Sequence, residues 1–190
     1  MNELNYRIEF YSEWHCGSGL SAGADIDALV IKDSDGLPYI PGKTLKGLIR
    51  EAFDDYVSFS KANVDLIKKA FGMPADGQGE QCKGILYFTD ARLNEEERNA
   101  IINNNAQQFM YQKRSRTAID VNGIAKEHSL RSIQTVIPCT LYASVMNVPD
   151  DLCDILTESL GLVKRMGVNR NRGLGRCQLS VVNIKKGGEQ

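Results

Sequence analysis

The segment PYIPGKTLKGLIR, residues 38–50, is the most informative part of this sequence for the fold. Two prolines and a glycine are followed by apolar side chains at every third or fourth position, which is typical of a helix with one buried face. The apolar positions of this helix are Leu45, Leu48, Ile49, Ala52, Phe53 and Tyr56. We therefore expect a long helix that begins at the Pro-Gly pair and packs against a sheet.

Strand patterns lie on both sides of this helix. Residues 6–10 alternate apolar and polar side chains, as a half-buried strand does, and residues 85–88 predict a central strand. Further strands are predicted over residues 136–145 and 179–184, with a helix over residues 150–163. The resulting order of strand, helix, strand, strand, helix, strand predicts an α+β domain of modified ferredoxin-like (RRM-like) type, with two helices on one face of an antiparallel sheet.

Three further segments complete the predicted organisation of a single domain, residues 1–190. Short helices are expected over residues 64–71 and 94–102, and residues 73–83 form a polar, glycine-rich connection. Residues 112–134 are polar and basic with a turn at Asn122–Gly123, which predicts either a long hairpin or a mobile loop. The whole insertion covers about residues 109–136.

Composition excludes several classes of protein. With 190 residues, 42% of them apolar and 25% charged, the chain is expected to be globular. No stretch approaches the roughly 20 apolar residues of a membrane span, and the charged N-terminus argues against secretion. Five cysteines without a CxxC pair argue against a disulfide framework and a cysteine zinc site. We expect a cytoplasmic protein.

Charge is distributed unevenly, although the formal net charge is only −1. Residues 41–50 and 161–177 contain lysine and arginine but no acid, and residues 109–131 are mostly basic. Such segregation favours one basic groove and an acidic back. Chance clustering on a solvated surface is the alternative.

The start of the long helix carries a candidate phosphate site. PGKT at residues 41–44 looks like the end of a P-loop, but the glycine needed five positions earlier is Leu37, which argues against an NTPase. A helix N-terminus beside Lys43 and Lys46 remains a general anion site that suits a sugar-phosphate backbone. Lys43, Lys46 and Arg50 form one stripe along the helix, for which a merely solvated face is the alternative.

The segment GVNRNRGLGR, residues 167–176, places flexible glycines among three guanidinium groups. Arg170, Arg172 and Arg176 can each pair with phosphate oxygens, and glycines allow the backbone to approach a phosphate closely. Because three arginines occur here without an acid, phosphate contact is favoured over an ordinary glycine-rich turn.

Two aspartates are candidates for chemistry. Asp25 and Asp27 lie between Gly23 and an apolar run, close in sequence to the basic segments. A carboxylate in a phosphate-lined groove can hold a divalent cation or aid deprotonation of a ribose 2′-hydroxyl. A solvated turn acid is the alternative, as for Asp33 and Asp35 in the turn at residues 33–36.

Several motifs together resemble the RAMP superfamily of CRISPR-associated proteins, and in particular the backbone (repeat) subunits of type III effector complexes. They are WHCGSG at 14–19, DIDALVIKD at 25–33, GLPYIPGKTLKGLIR at 36–50, GILYFTDA at 84–91, RTAID through GIA at 116–125, and NRGLGR at 171–176. These motifs follow the family's order over nearly the whole chain, and residues 38–50 are the most specific of them.

The resemblance implies a domain that polymerises along a guide CRISPR RNA, beside other RAMP subunits and copies of itself and away from any membrane, in antiviral defence. It implies that the helix start and the glycine-rich loop grip the guide backbone. A thumb-like hairpin, about residues 113–136 here, distorts the duplex between guide and target in that family. The RNA-binding residues so implied are Lys43, Lys46, Arg50, Lys113, Arg114, Arg116, Arg131, Arg170, Arg172 and Arg176.

The resemblance also implies metal-dependent cleavage of complementary target RNA. Asp27 occupies the place of the family's slicing aspartate, with Asp25 as the near alternative. Asp27 is also the candidate ligand for the divalent metal, Mg²⁺ or Mn²⁺, once target RNA is bound. Gln134 stands where family members often carry a glutamate, and the chain is short for a backbone subunit. A catalytically inactive RNA-binding scaffold or regulatory subunit is therefore the alternative function.

Overall fold

The computed structural model describes residues 1–23, 25–60, 63, 65–73 and 82–187. The helices within them are α1 (Gly42–Ser60), α2 (Asp65–Phe71), α3 (Glu95–Asn103) and α4 (Asp150–Leu162). The strands are β1 (Asn2–Phe10), β2 (Gly72–Met73), β3 (Cys82–Lys83), β4 (Tyr87–Phe88), β5 (Tyr111–Arg116), β6 (Arg131–Val136), β7 (Thr140–Val148) and β8 (Cys177–Lys185).

Four strands form an antiparallel sheet in the order β4–β7–β1–β8. Within this sheet β1 comes first along the chain, followed by β4, β7 and β8, with α1 after β1 and α4 after β7. This is the strand and helix order of a ferredoxin-like domain. The predicted α+β fold class is therefore confirmed.

Two details of the predicted sheet are wrong. β4 contains only Tyr87–Phe88 and lies at an edge rather than in the centre. The start of α1 packs directly against β4: a Cβ at Gly42 would lie 2.2 Å from the carbonyl oxygen of Phe88. This close packing explains why an edge strand contains the buried Phe88. The strand predicted over residues 136–145 is two strands, since β6 ends at Val136 and β7 begins at Thr140. Pro138 lies between them and has no amide to donate to a ladder.

The helices α1 and α4 cover one face of this sheet. β1 alternates along its length, so that Leu4, Tyr6, Ile8 and Phe10 are buried. The helices contribute Leu45, Ile49, Phe53, Leu152, Leu156 and Leu160 to the same core. Burying a side chain of this size stabilises the fold by about 1.5–3 kcal/mol. Among the described helices, none has the length and apolar character needed to cross a membrane.

The other face of the sheet is open and polar at its centre. The Asn5 side chain accepts a hydrogen bond from the Ser144 hydroxyl at 2.5 Å and donates one to the Asn183 side chain at 2.8 Å. The register of β1 against β8 shifts beside Asn5, because Asn5 pairs with Asn183 whereas Tyr6 pairs with Val181. Val182 is therefore the extra residue of a β-bulge. Among the described strands, β8 forms the outer edge on this side.

The basic insertion is a hairpin. β5 and β6 pair from Tyr111 opposite Val136 to Arg116 opposite Arg131, and we call residues 111–136 the thumb hairpin. At its tip the Asp120 carboxylate accepts hydrogen bonds from two backbone amides, at 2.8 and 2.9 Å. Residues 25–30 run beside the outer edge of β6, where Gln134 donates its backbone N–H to the carbonyl oxygen of Ala28. This pairing ties the thumb hairpin to the body of the domain.

The two short helices lie close to their predicted positions. α2 ends directly before Gly72, and α3 begins after Asn94, whose side chain accepts the backbone N–H of Glu97 at 2.7 Å. This contact is a standard helix N-cap. Residue 64 of the predicted first short helix and residues 74–81 of the predicted connection lie outside the described residues.

Candidate nucleic-acid interface

The glycine-rich loop, residues 167–176, is held in place by backbone hydrogen bonds to residues 13–15. Val168 donates its N–H to the carbonyl oxygen of His15 at 3.0 Å, and Gly175 donates to that of Glu13 at 2.7 Å. Gly175 has a φ of +67°, and a Cβ at this position would lie 1.8 Å from the carbonyl oxygen of Met166. Glycine is therefore required at this position, and the loop is a fixed part of the fold.

The glycine-rich loop and the thumb hairpin meet in a concave site of about 190 Å³, which we call the arginine pocket. It is lined by Arg114, Ser115, Arg116, Ile133, Asn169, Arg172 and Leu174. Arg116 donates a hydrogen bond to the Asn169 side chain at 2.7 Å, which joins β5 to the loop. Three guanidinium groups around one hollow suit the oxygens of a phosphate. The fold thus brings together two basic segments that are far apart in sequence.

Acidic side chains balance much of the positive charge at the base of the thumb hairpin. The Lys113 ammonium contacts the Asp25 carboxylate. Arg131 Nη1 lies 3.9 Å from Asp27 Oδ1. The base of the thumb hairpin therefore presents alternating charge rather than a uniformly positive surface.

Glu13 is the most enclosed of these acids, with a side chain that is only 11% exposed. Arg114 donates two hydrogen bonds to its carboxylate, at 2.6 and 2.7 Å, and the Thr135 hydroxyl donates a third at 2.7 Å. The Arg114 hydrogen bonds, with a further contribution from Thr135, hold the pKa of the Glu13 carboxyl below its ordinary value, although burial opposes them. Glu13 is therefore ionised and fixes the orientation of Arg114.

The two candidate catalytic carboxylates differ in how firmly they are held. Asp27 Oδ2 accepts the backbone N–H of Ser132 at 2.7 Å, and the Asp27 N–H donates to the carbonyl oxygen of Ser132 at 2.8 Å. Asp25 contacts Lys113, and its side chain is 72% exposed, against 47% for Asp27. Asp27 is thus the better oriented of the two towards anything bound along β6.

The environment of Asp27 offers few ligands for a metal ion. In the part of the chain that the structure describes, no three His, Cys, Asp or Glu side chains cluster as a metal site. Of the two Asp27 oxygens, Oδ2 is engaged by Ser132, which leaves Oδ1 on the side of Arg131. Mg²⁺ is often bound by one or two carboxylates together with substrate phosphates. Asp27 fits such a site provided that RNA supplies the other oxygens.

The α1 stripe, Lys43, Lys46 and Arg50, lies on a different flank of α1 from the glycine-rich loop. The helix faces that loop with Thr44 and Leu48, which line one cavity together with Gly167 and Arg170. Successive helical residues are rotated by about 100°, so the stripe is displaced around α1 towards the side that packs on β4. The stripe and the arginine pocket are therefore separate basic surfaces.

The N-terminus of α1 already has an anionic partner. The Gly42 N–H donates to the Asp90 carboxylate at 2.9 Å, and Arg92 contacts the other oxygen of Asp90 at 2.9 Å. A carboxylate at this position is stabilised by the helix dipole. The first amide of α1 is therefore occupied, and any anion that binds here must rely mainly on Lys43 and Lys46.

The remaining arginines of the glycine-rich loop face elsewhere. Arg170 lines the cavity with Leu48 and also a neighbouring hollow that contains Glu51 and Asp55 of α1. Arg176 lies just before β8, where its backbone N–H donates to the Ser12 hydroxyl at 2.9 Å. Of the three predicted loop arginines, only Arg172 lines the arginine pocket.

Three residues at this surface were not predicted from the sequence. Glu13 and Asn169 organise the arginine pocket, and His15 is buried beside the glycine-rich loop. Glu13 belongs to no pattern that marks a binding residue. His15 lies in the WHCGSG motif and Asn169 in the segment GVNRNRGLGR, but neither motif indicated the role of these two side chains.

Comparison with known proteins yields a family and a fold. The family model described as the RAMP superfamily matches residues 7–178. No curated protein matches the chain. The fold resembles a chain in the cryo-EM structure of the type III-B Cmr-beta bound to cognate target RNA, with a TM-score of 0.72 and 13% identity over 94% of this chain and 96% of that one. A chain of the same assembly in its apo state gives a TM-score of 0.71 and 13% identity, over 95% and 97%.

Proposed function

This chain belongs to the RAMP superfamily, and from that premise we propose that it is a guide (CRISPR) RNA-binding backbone subunit of a type III CRISPR effector complex. It acts in the cytoplasm beside other RAMP subunits and copies of itself, where the guide pairs with complementary target RNA in antiviral defence. The likeness of its fold to chains of type III-B Cmr-beta, one of them bound to cognate target RNA, supports this proposal.

The arginine pocket is the observation that carries the proposal. Arg116 and Arg172, which pair with no carboxylate among the described residues, line one hollow beside Arg114, whose orientation Glu13 fixes. Two unbalanced guanidinium groups at one hollow suit a phosphate. A protein with a net charge of −1 cannot hold a long RNA through its overall charge. Affinity must come from local basic sites that repeat along the strand, and assembly of several subunits provides that repetition.

Assembly on RNA tests this function. The purified chain is mixed at low salt with guide RNAs of unrelated sequence, and the size of the particles is measured by light scattering. We expect a multi-subunit particle with every guide, because phosphates carry no sequence information. If the protein stays monomeric and does not bind RNA under these conditions, the proposal is wrong.

We further propose that Asp27 supports metal-dependent endonucleolytic cleavage of the target RNA, with Mg²⁺ or Mn²⁺ as the ion. The ribose 2′-oxygen attacks the adjacent phosphorus and the bond to the 5′-oxygen breaks. The leaving 5′-oxygen takes a proton from water, so that a 2′,3′-cyclic phosphate and a 5′-hydroxyl are left. Asp27 assists by accepting the 2′-hydroxyl proton or by holding the ion that stabilises the developing charge. The thumb hairpin aligns the attack by distorting the duplex from A-form geometry.

The cleavage proposal predicts a separation of binding from chemistry. In an assembled complex with labelled target RNA and Mg²⁺, Asp27→Ala should bind guide and target normally but cut no target, whereas Asp25→Ala should cut at a reduced rate. Shortening the thumb hairpin should also slow cutting. If Asp27→Ala cuts at the wild-type rate, Asp27 is not the catalytic carboxylate.

An inactive RNA-binding scaffold or regulatory subunit is the second candidate function. The observation that favours it is the role of Gln134, whose side-chain oxygen accepts the backbone N–H of Val30 at 3.3 Å. At this position, where relatives often carry a glutamate, Gln134 thus connects β6 to Val30 and provides no carboxylate. A complex that cuts target RNA equally well with either Asp25→Ala or Asp27→Ala would establish the scaffold function and assign the chemistry to another subunit.

A further inference from the structure

A second cavity of about 210 Å³, which we call the base pocket, lies between α1 and the glycine-rich loop. The buried side chains of Leu45 and Met166 and the half-buried Leu48 form apolar walls. Thr44 and Arg170 are exposed and stand at its mouth. Arg170 and Arg172 belong to the same short 3-10 helix, so the base pocket and the arginine pocket lie on two sides of one turn.

His15 gives this cavity a polar group with a defined role. The residue is only 1% exposed, and its Nδ1 lies 2.6 Å from the carbonyl oxygen of Gln134. A carbonyl oxygen can only accept, so Nδ1 carries the proton and Nε2 presents a lone pair. Within the described residues Nε2 has no hydrogen-bond partner. Gln134 therefore orients the imidazole, which lines the base pocket, and Nε2 of the neutral ring is an acceptor.

We propose that the base pocket receives one unstacked nucleobase of the bound RNA, with its ring between the apolar walls and an N–H group donating to His15 Nε2. Single-stranded RNA is commonly bound by bases that leave the stack and enter pockets of this kind. The apolar walls favour a flat ring over a phosphate. Arg170 at the mouth can contact the backbone phosphate of the same nucleotide. This inference rests on the proposed RNA-binding function and assigns a second subsite to it.

The His15 acceptor does not distinguish the four bases. Each of the four RNA bases carries at least one N–H on its pairing edge, at N6 of adenine, N4 of cytosine, N1 of guanine or N3 of uracil. A single acceptor can satisfy any of them. Trp14, Cys16 and Thr44 also line the cavity, and the Trp14 Nε1 donor is buried without a hydrogen-bond partner among the described residues. This acceptor therefore places no restriction on the sequence of the bound RNA.

Two probes separate base capture from phosphate contact. Oligouridylate and an abasic ribose-phosphate oligomer of equal length carry the same phosphates, and only the first has bases. We expect the purified chain to bind oligouridylate about tenfold more tightly, which is the scale of one well-contacted base. Failure of both probes to bind overturns the proposed function itself, whereas equal binding of the two overturns the base pocket alone.

Two variants assign the tenfold difference to this cavity. Leu48→Phe fills the pocket. His15→Asn keeps a donor for the Gln134 carbonyl oxygen but has no acceptor at the position of Nε2, because the shorter side chain ends before it. Each should bring oligouridylate affinity down to that of the abasic oligomer and leave abasic binding unchanged. Ile184→Phe adds the same ring at the far end of β8 and should retain the full difference. A tenfold preference that persists in both variants contradicts the proposal. A Leu48→Phe variant that keeps the base preference but no longer self-associates also contradicts it, because the cavity would then bind a second copy of the chain.

Discussion

The α1 stripe and the base of the thumb hairpin are equally basic in sequence but differ in their surroundings. Lys113, Arg114 and Arg131 each contact a carboxylate, from Asp25, Glu13 and Asp27 respectively. Among the described residues, no carboxylate lies within ion-pair distance of the stripe. The stripe therefore carries positive charge that no carboxylate balances. At the thumb hairpin, Lys113, Arg114 and Arg131 instead form ion pairs that connect the hairpin to the body of the domain. A count of lysines and arginines does not distinguish these two roles.

The glycine-rich loop contacts both α1 and the thumb hairpin, and its backbone should be the most sensitive to change. Gly175→Ala places a Cβ 1.8 Å from the Met166 carbonyl oxygen, so we expect a loss of about 3 kcal/mol or more in the free energy of unfolding. Gly173 also has a positive φ, of +90°, but nothing lies within 4 Å of the added Cβ. Gly173→Ala should therefore cost only about 1 kcal/mol. Urea denaturation measures both, and equal losses would mean that the close contact with Met166 does not matter.

The stripe should matter next, through RNA affinity rather than stability. Replacing Lys43, Lys46 and Arg50 together with Ala should keep the helix, because alanine is the best helix former. Each lost phosphate contact lowers the slope of log affinity against log salt by about 0.7 for single-stranded RNA. We expect a decrease of about 2 in this slope, measured by fluorescence anisotropy with two unrelated RNAs. Lys68→Ala with Lys69→Ala on α2 is the control for loss of positive charge, although it removes two charges rather than three and both lysines have carboxylate partners. An equal decrease per charge removed would assign the effect to overall charge.

Removing an acid from the thumb base should destabilise the protein in a pH-dependent way. Glu13→Gln weakens the hydrogen bonds of Arg114 and Thr135 and should cost about 1–2 kcal/mol at pH 7. The pKa of Glu13 is lower in the folded than in the unfolded chain. Its stabilisation is therefore complete above the ordinary glutamate pKa of about 4.3 and is lost as the pH falls below that value. Denaturation at several pH values should show the difference between wild type and variant shrinking in acid, and a constant difference would contradict this account.

The smallest effect is expected where the pairing acid is most exposed. Asp25→Asn releases Lys113 from its partner. Exposed pairs of this kind contribute only about 0–1 kcal/mol, so stability should hardly change. The freed ammonium can contact a phosphate, and RNA affinity at low salt should rise by about threefold. An unchanged affinity would mean that Lys113 points away from the bound strand.

The parts of the fold that follow from local patterns were predicted well. β1, α1 and α4 each bury one periodic face, and β8 buries Cys177 and Leu179 at its start. The sequence alone located all four elements. β4 was predicted at the centre of the sheet but lies at its edge. A short apolar run has the same sequence pattern in a central strand and in an edge strand that packs under a helix. Pairing between distant segments, such as residues 25–30 against β6, leaves no local pattern to detect.

The candidate site was predicted in its residue types but not in its geometry. Basic residues were identified in the helix, the hairpin and the loop, but the sequence does not show that Arg116 and Arg172 converge while Lys46 lies elsewhere. Glu13 was missed since an isolated acid has no pattern, and its importance comes from burial beside Arg114. The roles of Asp25 and Asp27 stay predictions, although their different anchoring now favours Asp27.

The bulge at Val182 bears on solubility. An exposed edge strand nine residues long, such as β8, offers unpaired amides and carbonyls to any neighbouring strand and is a common starting point for aggregation. The extra residue increases the local twist, and Lys185 and Lys186 follow it with positive charge at the end of the edge. A strand from another molecule could therefore pair with only part of β8. The bulge and the two lysines therefore limit edge-to-edge pairing of sheets when the protein is concentrated.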